Sequence, residues 1–515
     1  MEKLLLKGLA VAVMAAGLTA CGGDDDDNSS TGRNGNADAN TSADPSFTFD
    51  QTTYVGAVDP AAATEWYAFA MEGSYPAAAA DIDLTATNTT DADEFNSNVT
   101  FEPSMANITP ATECPSGAGT YQIVDAEDDV TIDGKTFKKC TLTGSILEDV
   151  TLSNDVVWRL NGRVNVGDGN RTLTASDSDV RDVTLTVAAG TVFHSATGSS
   201  LVVTRGADIV ANGTEDQPIV MAGEGTETYG GKGEWGGLVL QGFGYDNKCG
   251  DPASETICNQ AGEGAAGMFG GFDNSDSSGS LQYVIVTEAG SELSNGDELN
   301  GIGFMGVGYG TTLEYIQIHN NVDDGVEFWG GAANAKYLVL TEVNDDSIDW
   351  DEGYVGNIQY ALIVQTANQE GGAGKYHAFE LDTKGDAPES AYQESNPTVA
   401  NVTAIASLET AEQATFGDGI HLKDGSEGRF FNMLFLGDYR NCVYIKDETS
   451  YADDAAAQAA FVNVYGLCDT AVSDNRGGTT DVSIETATTT LSDTLAYNVA
   501  VTATIESAEV DGTAN

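Results

Sequence analysis

The 515-residue chain carries 80 acidic against 21 basic side chains, a formal charge of −59. Phosphate recognition needs clustered Lys and Arg, so this balance argues against nucleic acid and anionic membrane surfaces as direct ligands and favours cations or basic partners. At 41% hydrophobic residues the chain is too apolar to be disordered, and its length allows a large core.

In chain order, residues 1–20 read as an export signal. Lys3 and Lys7 give a positive start, and the apolar run 8–18 is too short to span a bilayer. The tetrapeptide Leu18-Thr-Ala-Cys21 resembles the lipobox of bacterial lipoproteins. That resemblance implies a lipid on Cys21 and, with Gly22 in place of Asp, an outer-membrane anchor facing the periplasm or the cell surface. Residues 21–44 are almost purely Gly, Asp, Asn, Ser and Thr, a composition that stays a flexible acidic tether. Residues 45–119 hold Phe47, Phe49, Tyr54, Trp66, Tyr67 and Phe69 and are expected to form an N-terminal cap or small β unit.

From 120 to 515 short strands recur, and a parallel β-helix with a C-terminal cap is expected. One series runs 183–187, 201–204, 219–222, 238–241 and 281–287; a second runs 313–318, 337–341, 358–365, 399–406 and 430–436. Interleaved with the second series is a six-residue pattern in four copies: Asp324-Gly-Val-Glu-Phe-Trp329, Asp346-Ser-Ile-Asp-Trp-Asp351, His377-Ala-Phe-Glu-Leu-Asp382 and Asp418-Gly-Ile-His-Leu-Lys423. Apolar residues at the third and fifth positions mark strands with one buried face. The copies start at 324, 346, 377 and 418, so their spacings are 22, 31 and 41 residues. A constant minimum with variable excess is what one solenoid turn plus loop insertions produces.

Stacked in register, the fourth positions make an outward column of Glu327, Asp349, Glu380 and His421. The sixth positions make a second column of Trp329, Asp351, Asp382 and Lys423. Two ionised carboxylates at about 5 Å in an effective dielectric of roughly 20 repel by about 3 kcal/mol. A bound divalent cation relieves that cost, and oxygen donors of this kind suit Ca²⁺. The candidate metal ligands are Asp324, Glu327, Asp346, Asp349, Asp351, His377, Glu380, Asp382 and His421, the two imidazoles also suiting zinc or iron. Trp329 is expected beside the carboxylates, where it could stack on a sugar. The bland alternative is a solvated acidic face with Trp329 covered by a loop.

Apart from Cys21, six cysteines remain, and sequence order pairs them as Cys114–Cys140, Cys249–Cys258 and Cys442–Cys468. Six cysteines allow fifteen connectivities, but two of these gaps are 26 residues, close to one coil. His194 and His319 read as ordinary strand-end residues.

The segments 190–220, Trp235-Gly-Gly-Leu-Val-Leu, Asn300-Gly-Ile-Gly-Phe304 and Val322-Asp-Asp-Gly-Val-Glu-Phe-Trp-Gly-Gly331 resemble a group of Gram-negative surface lipoproteins. The resemblance covers about 120–440 and implies a right-handed parallel β-helix, with no catalytic assignment. Three functional classes follow for the ladder. The first is a surface binding module holding a divalent cation or a cation-bridged glycan. The second is a polysaccharide hydrolase or lyase using Glu327, Asp349, Glu380 and Asp351. The third is an adhesin or an accessory partner of an outer-membrane protein.

Overall fold

The computed structural model describes residues 44, 46–62, 64–71, 74–75, 104–174, 180–224, 231–250, 254–292, 298–366, 376–383, 393–407, 417–437, 439–446, 461–475 and 484–486. The expected signal peptide, Cys21, all of the tether before Asp44 and the expected C-terminal cap after 486 lie outside them.

The chain is a right-handed parallel β-helix, the hand expected for crossovers between parallel strands. Ten strands stack into a first sheet: Val157–Val166, Ser200–Val203, Gly237–Gln241, Ile302–Met305, Val326–Trp329, Ile348–Asp351, Phe379–Leu381, Ile420–Leu422, Asn441–Ile445 and Thr470–Asp474. All neighbours in it are parallel. Antiparallel pairing appears where the solenoid begins, between Tyr121–Asp125 and Lys139–Ile146.

The other two sheets share strands. Gly279–Thr287, Thr312–His319, Asn334–Thr341, Asn357–Thr366, Thr398–Ser407, Arg429–Gly437 and Phe461–Leu467 each pair before and after one skipped residue. The skipped residues are Tyr283, Tyr315, Tyr337, Tyr360, Asn401, Asn432 and Asn463, with φ between 51° and 66°. A left-handed residue turns the strand a corner, so a continuous apolar run spans two sheets. The sequence reading of two strands per coil is thus corrected to three sheets. The tyrosines offset their backbone cost by stacking, at 4.3, 4.4 and 4.9 Å between successive rings. The asparagines are tolerant of this region and link rungs through their amides, Asn463 donating to Asn432 at 3.0 Å.

The interior is the apolar column read from the sequence. Val326, Ile348, Phe379 and Ile420 are consecutive partners and fully buried, as are Trp350 and Leu381 beside them. The described residues between 44 and 75 lie along the flank, on the corner opposite the first sheet. The Gly56 amide donates to Asn432 O, the Ala57 amide to Thr403 Oγ1 and the Met71 amide to Gln317 Oε1. Phe69 packs edge-on against Tyr283 and Tyr315, and Val55, Tyr67 and Met71 are buried in the same seam. This strap therefore ties together coils far apart in sequence.

Disulfides join Cys114–Cys140, Cys249–Cys258 and Cys442–Cys468, with Cα separations of 5.6, 5.4 and 5.6 Å. The sequence-order pairing is the one that forms. Arg205, fully buried, donates to the carbonyls of Gly169, Arg171, Cys258 and Gly270 and holds the lobe 242–275 against the first sheet.

Candidate functional site

The first position of each repeat serves the backbone. Asp324 N–H donates to Asn300 Oδ1 at 3.0 Å, Asp346 N–H to Asp324 Oδ1 at 2.9 Å, and His377 N–H to Asp346 Oδ1 at 2.7 Å. Asp418 N–H then donates to His377 Nδ1 at 2.7 Å, and Asn441 Nδ2 to Asp418 Oδ1 at 2.6 Å. The side chains of Asn300, Asp324, Asp346 and His377 thus each satisfy the backbone amide that enters the next strand, while Asp418 accepts from the side-chain amide of Asn441. This is why the pattern opens on Asp, His or Asn. It occupies one oxygen of Asp324 and Asp346 and one nitrogen of His377, all three expected as ligands.

The fourth position is different. Glu327, Asp349, Glu380 and His421 are partners on adjacent rungs, as the pattern predicts, and Gly303 and Tyr444 extend the column at its two ends. In this column Glu327 is buried, at 9% exposure, while Asp349, Glu380 and His421 are half-buried; the first-position residues Asp324 and Asp346 are buried, at 7% and 3%. Asn300 Nδ2 donates to Glu327 Oε2 at 2.6 Å and to Glu263 Oε2, from the lobe, at 3.1 Å. Asp349 Oδ1 is buried without a hydrogen-bond partner.

Burial first, and then neighbouring carboxylates, push Asp324, Glu327, Asp346 and Asp349 well above the usual carboxylate range. Glu380 moves the other way. Burial would raise it, but Lys423, bonded at 2.8 Å, and the two imidazoles hold it below its ordinary value. Asp418, facing His421, Arg440 and Asn441, is held down to about 2 despite its burial. Burial lowers His377 to about 4, which leaves it neutral at pH 7.

Among the described residues, donor atoms gather in four groups, each within 4.8 Å: Asp324, Glu327 and Asp349; Asp346, Asp349 and Glu380; His377, Asp418 and His421; and Asp323, Asp324 and Asp345. Asp349 belongs to two of them. Each of the two groups that share Asp349 can therefore offer carboxylate oxygens from two neighbouring rungs to one hard cation.

At the sixth position, Asp351 is pushed up to about 7 by burial, Asp382 and Glu352. Lys423 Nζ lies 3.7 Å from Asp382, and Lys248 from the lobe pairs with Glu352. Trp329 stands in this column as the register partner of Asp351. It is half-buried against Met305, Phe269, Val239 and Leu299, with its ring edge over Gly303, where a methyl group would sit 3.1 Å from Cζ3. Packing against these side chains accounts for its position.

The sequence reading did not include Asn300, Glu263, Lys248 and Asp418 in the site. Asn300 and Asn441 open two further copies of the pattern, Asn300-Gly-Ile-Gly-Phe-Met305 and Asn441-Cys-Val-Tyr-Ile-Lys446, whose apolar third and fifth positions could have revealed them. Glu263 and Lys248 sit in an insertion outside the repeat and carry no such signal.

A family model described as a pectate-lyase like beta helix domain matches residues 144–512. No curated protein and no solved structure matches the chain. With the match spanning most of the sequence and the coils wound as described, the chain belongs to the pectate-lyase-like β-helix family.

Proposed function

We propose that the protein is a binding module whose acidic ladder holds a divalent cation, Ca²⁺ by its donor chemistry, and through it an oxygen-rich or anionic glycan. The observation that carries this reading is Asp349 Oδ1, buried and unpartnered where two carboxylate triads meet. An uncompensated buried acceptor is costly, and so are like charges at this separation. A hard cation relieves both. Anchoring through a lipid on Cys21, with the acidic tether as spacer, belongs to the same proposal and accounts for presentation at an outer membrane. Its check is a Cys21→Ala variant leaving the membrane fraction.

The direct test is retention of acidic and neutral polysaccharides by the protein with Ca²⁺ or with a chelator. Ca²⁺-dependent retention lost in Asp349→Asn supports the reading. Retention that ignores both chelator and variant refutes it.

One observation favours a second reading, polysaccharide hydrolysis. Asp349 and Glu380 face each other on adjacent rungs with their pKa values driven apart, the first up and the second down. That is the arrangement of a protonated acid beside an ionised nucleophile. Reducing ends released by wild type and lost in Asp349→Asn and Glu380→Gln would select it.

A further inference from the structure

The chain contains four histidines, and two of them meet at the lower end of the ladder. His377 opens its repeat and His421 stands in the fourth position of the next rung. Their rings pack edge to face with centroids 4.4 Å apart. Between them lies Asp418, fully buried, its Oδ2 3.2 Å from His421 Nδ1 and 3.7 Å from His377 Nδ1. One donor atom from each of the three falls within 4.8 Å of the others.

Asp418 is held firmly. Arg440 donates to it from Nε at 3.0 Å and from its terminal nitrogen at 2.6 Å, and Asn441 donates at 2.6 Å. His421 is not. Both of its ring nitrogens are buried, yet neither makes a hydrogen bond, and the approach to Asp418 lacks hydrogen-bond geometry. Its side chain is 12% exposed, so water does little to solvate them. Buried imidazole nitrogens without partners are rare because they forfeit their solvation.

We propose that His377, Asp418 and His421 form a site for a borderline transition-metal ion such as Zn²⁺, separate from the hard-cation ladder. Metal–donor bonds of about 2.0–2.2 Å in a tetrahedral arrangement put donors roughly 3.3–3.5 Å apart. The 3.2 and 3.7 Å separations bracket that edge. Two imidazoles with one carboxylate also match the donor preference of Zn²⁺ rather than Ca²⁺. The ion takes the lone pair on His377 that the Asp418 amide now holds, and the one on His421 that nothing holds. Arg440 and Asn441 become the outer partners that orient the ligating carboxylate. A water supplies the fourth donor.

The site shares no residue with the groups around Asp349, so it stands or falls separately from the Ca²⁺ reading. The test uses the full chain without a polyhistidine tag, stripped of metal. Zn²⁺ is titrated in competition with a chromogenic chelator, and Co²⁺ and Cu²⁺ serve as spectroscopic stand-ins. One equivalent of Zn²⁺ should bind. His421→Gln and His377→Asn should each weaken it by more than the ~10–100-fold that loss of an outer partner costs. Asp349→Asn should leave it unchanged. Circular dichroism checks that each variant folds. If a histidine variant does not, the Cu²⁺ paramagnetic resonance of the wild type decides, because imidazole ligands produce nitrogen couplings. No stoichiometric Zn²⁺ binding overturns the proposal. So does binding that survives both histidine variants, loss of binding in Asp349→Asn, or a Cu²⁺ spectrum without nitrogen couplings.

Discussion

Replacing Asp349 by Asn isolates the electrostatics of the ladder. Asp349 shares two groups whose carboxylate oxygens lie within 4.8 Å, with Glu327 and Asp324 on one side and Asp346 and Glu380 on the other. At that distance and an effective dielectric of roughly 20, each ionised pair repels by about 3.5 kcal/mol. Lys423 offsets part of this through Glu380. The folded state escapes the rest by keeping protons that the unfolded chain releases near pH 4. The sign follows from linkage. A carboxyl group whose folded pKa is raised contributes stability below its unfolded pKa and loses it as pH rises through the folded one. For this cluster the loss runs from about pH 4 upward, passing the value of about 7 for Asp351. His194 and His377, lowered to about 4, and His319, lowered to about 3, act oppositely, because they cost stability as pH falls below about 6.5. The informative quantity is therefore the difference between variant and wild type. Asp349→Asn should nearly match wild type at pH 4, close to the unfolded pKa, and exceed it by roughly 1–3 kcal/mol at pH 8. Ca²⁺ at a hundredfold excess over Kd should stabilise wild type by about 2.7 kcal/mol and the variant by much less. The assay is urea unfolding at both pH values, with CaCl₂ or with NaCl at matched ionic strength, since screening alone relieves repulsion. A pH-independent difference, together with equal responses to CaCl₂ and NaCl in both proteins, refutes the reasoning.

Other perturbations test the frame around the site. Asn432→Ala puts a residue with φ near 54° at a left-handed cost of about 1–2 kcal/mol and removes the bond to Thr52, so a loss of about 2–3 kcal/mol is expected in urea unfolding. Trp350→Ala empties a fully buried site and should cost about 3–5 kcal/mol, with no change in the spectroscopic signature of β structure. Opening Cys442–Cys468 by a double Ser substitution frees a 26-residue loop and should lower stability by about 3.5 kcal/mol, read as a shift of the unfolding midpoint. Phe69→Ala should loosen the strap, so that limited proteolysis cuts between 44 and 75 while the solenoid survives.

The ladder was legible because period 2 leaves no freedom. Once Val326, Ile348, Phe379 and Ile420 must face inward, a one-residue slip would bury Glu327 and its partners in the apolar core, so the register follows from the pattern alone. The third sheet was not legible. Tyr315 and Asn432 turn a corner at positive φ inside runs that read as unbroken strands, and nothing in Leu-Glu-Tyr-Ile-Gln-Ile marks the bend. The strap was not legible either, because its bonds join residues as distant as Gly56 and Asn432 and follow no period.

Within the site, spacing told where each carboxylate lies but not what it does. Asp324 and Asp349 looked like two members of one ligand set. Asp324 gives an oxygen to the amide of Asp346, a duty that an Asn fulfils equally at 300, so its charge is not what that position selects. Asp349 has no such duty. Its Oδ1 bonds to nothing, it stands between Glu327 and Glu380, and an Asn there would remove the repulsion without sacrificing a backbone contact. A carboxylate where a neutral amide would be the more stable choice is what the proposed cation requires, at the fourth position rather than the first.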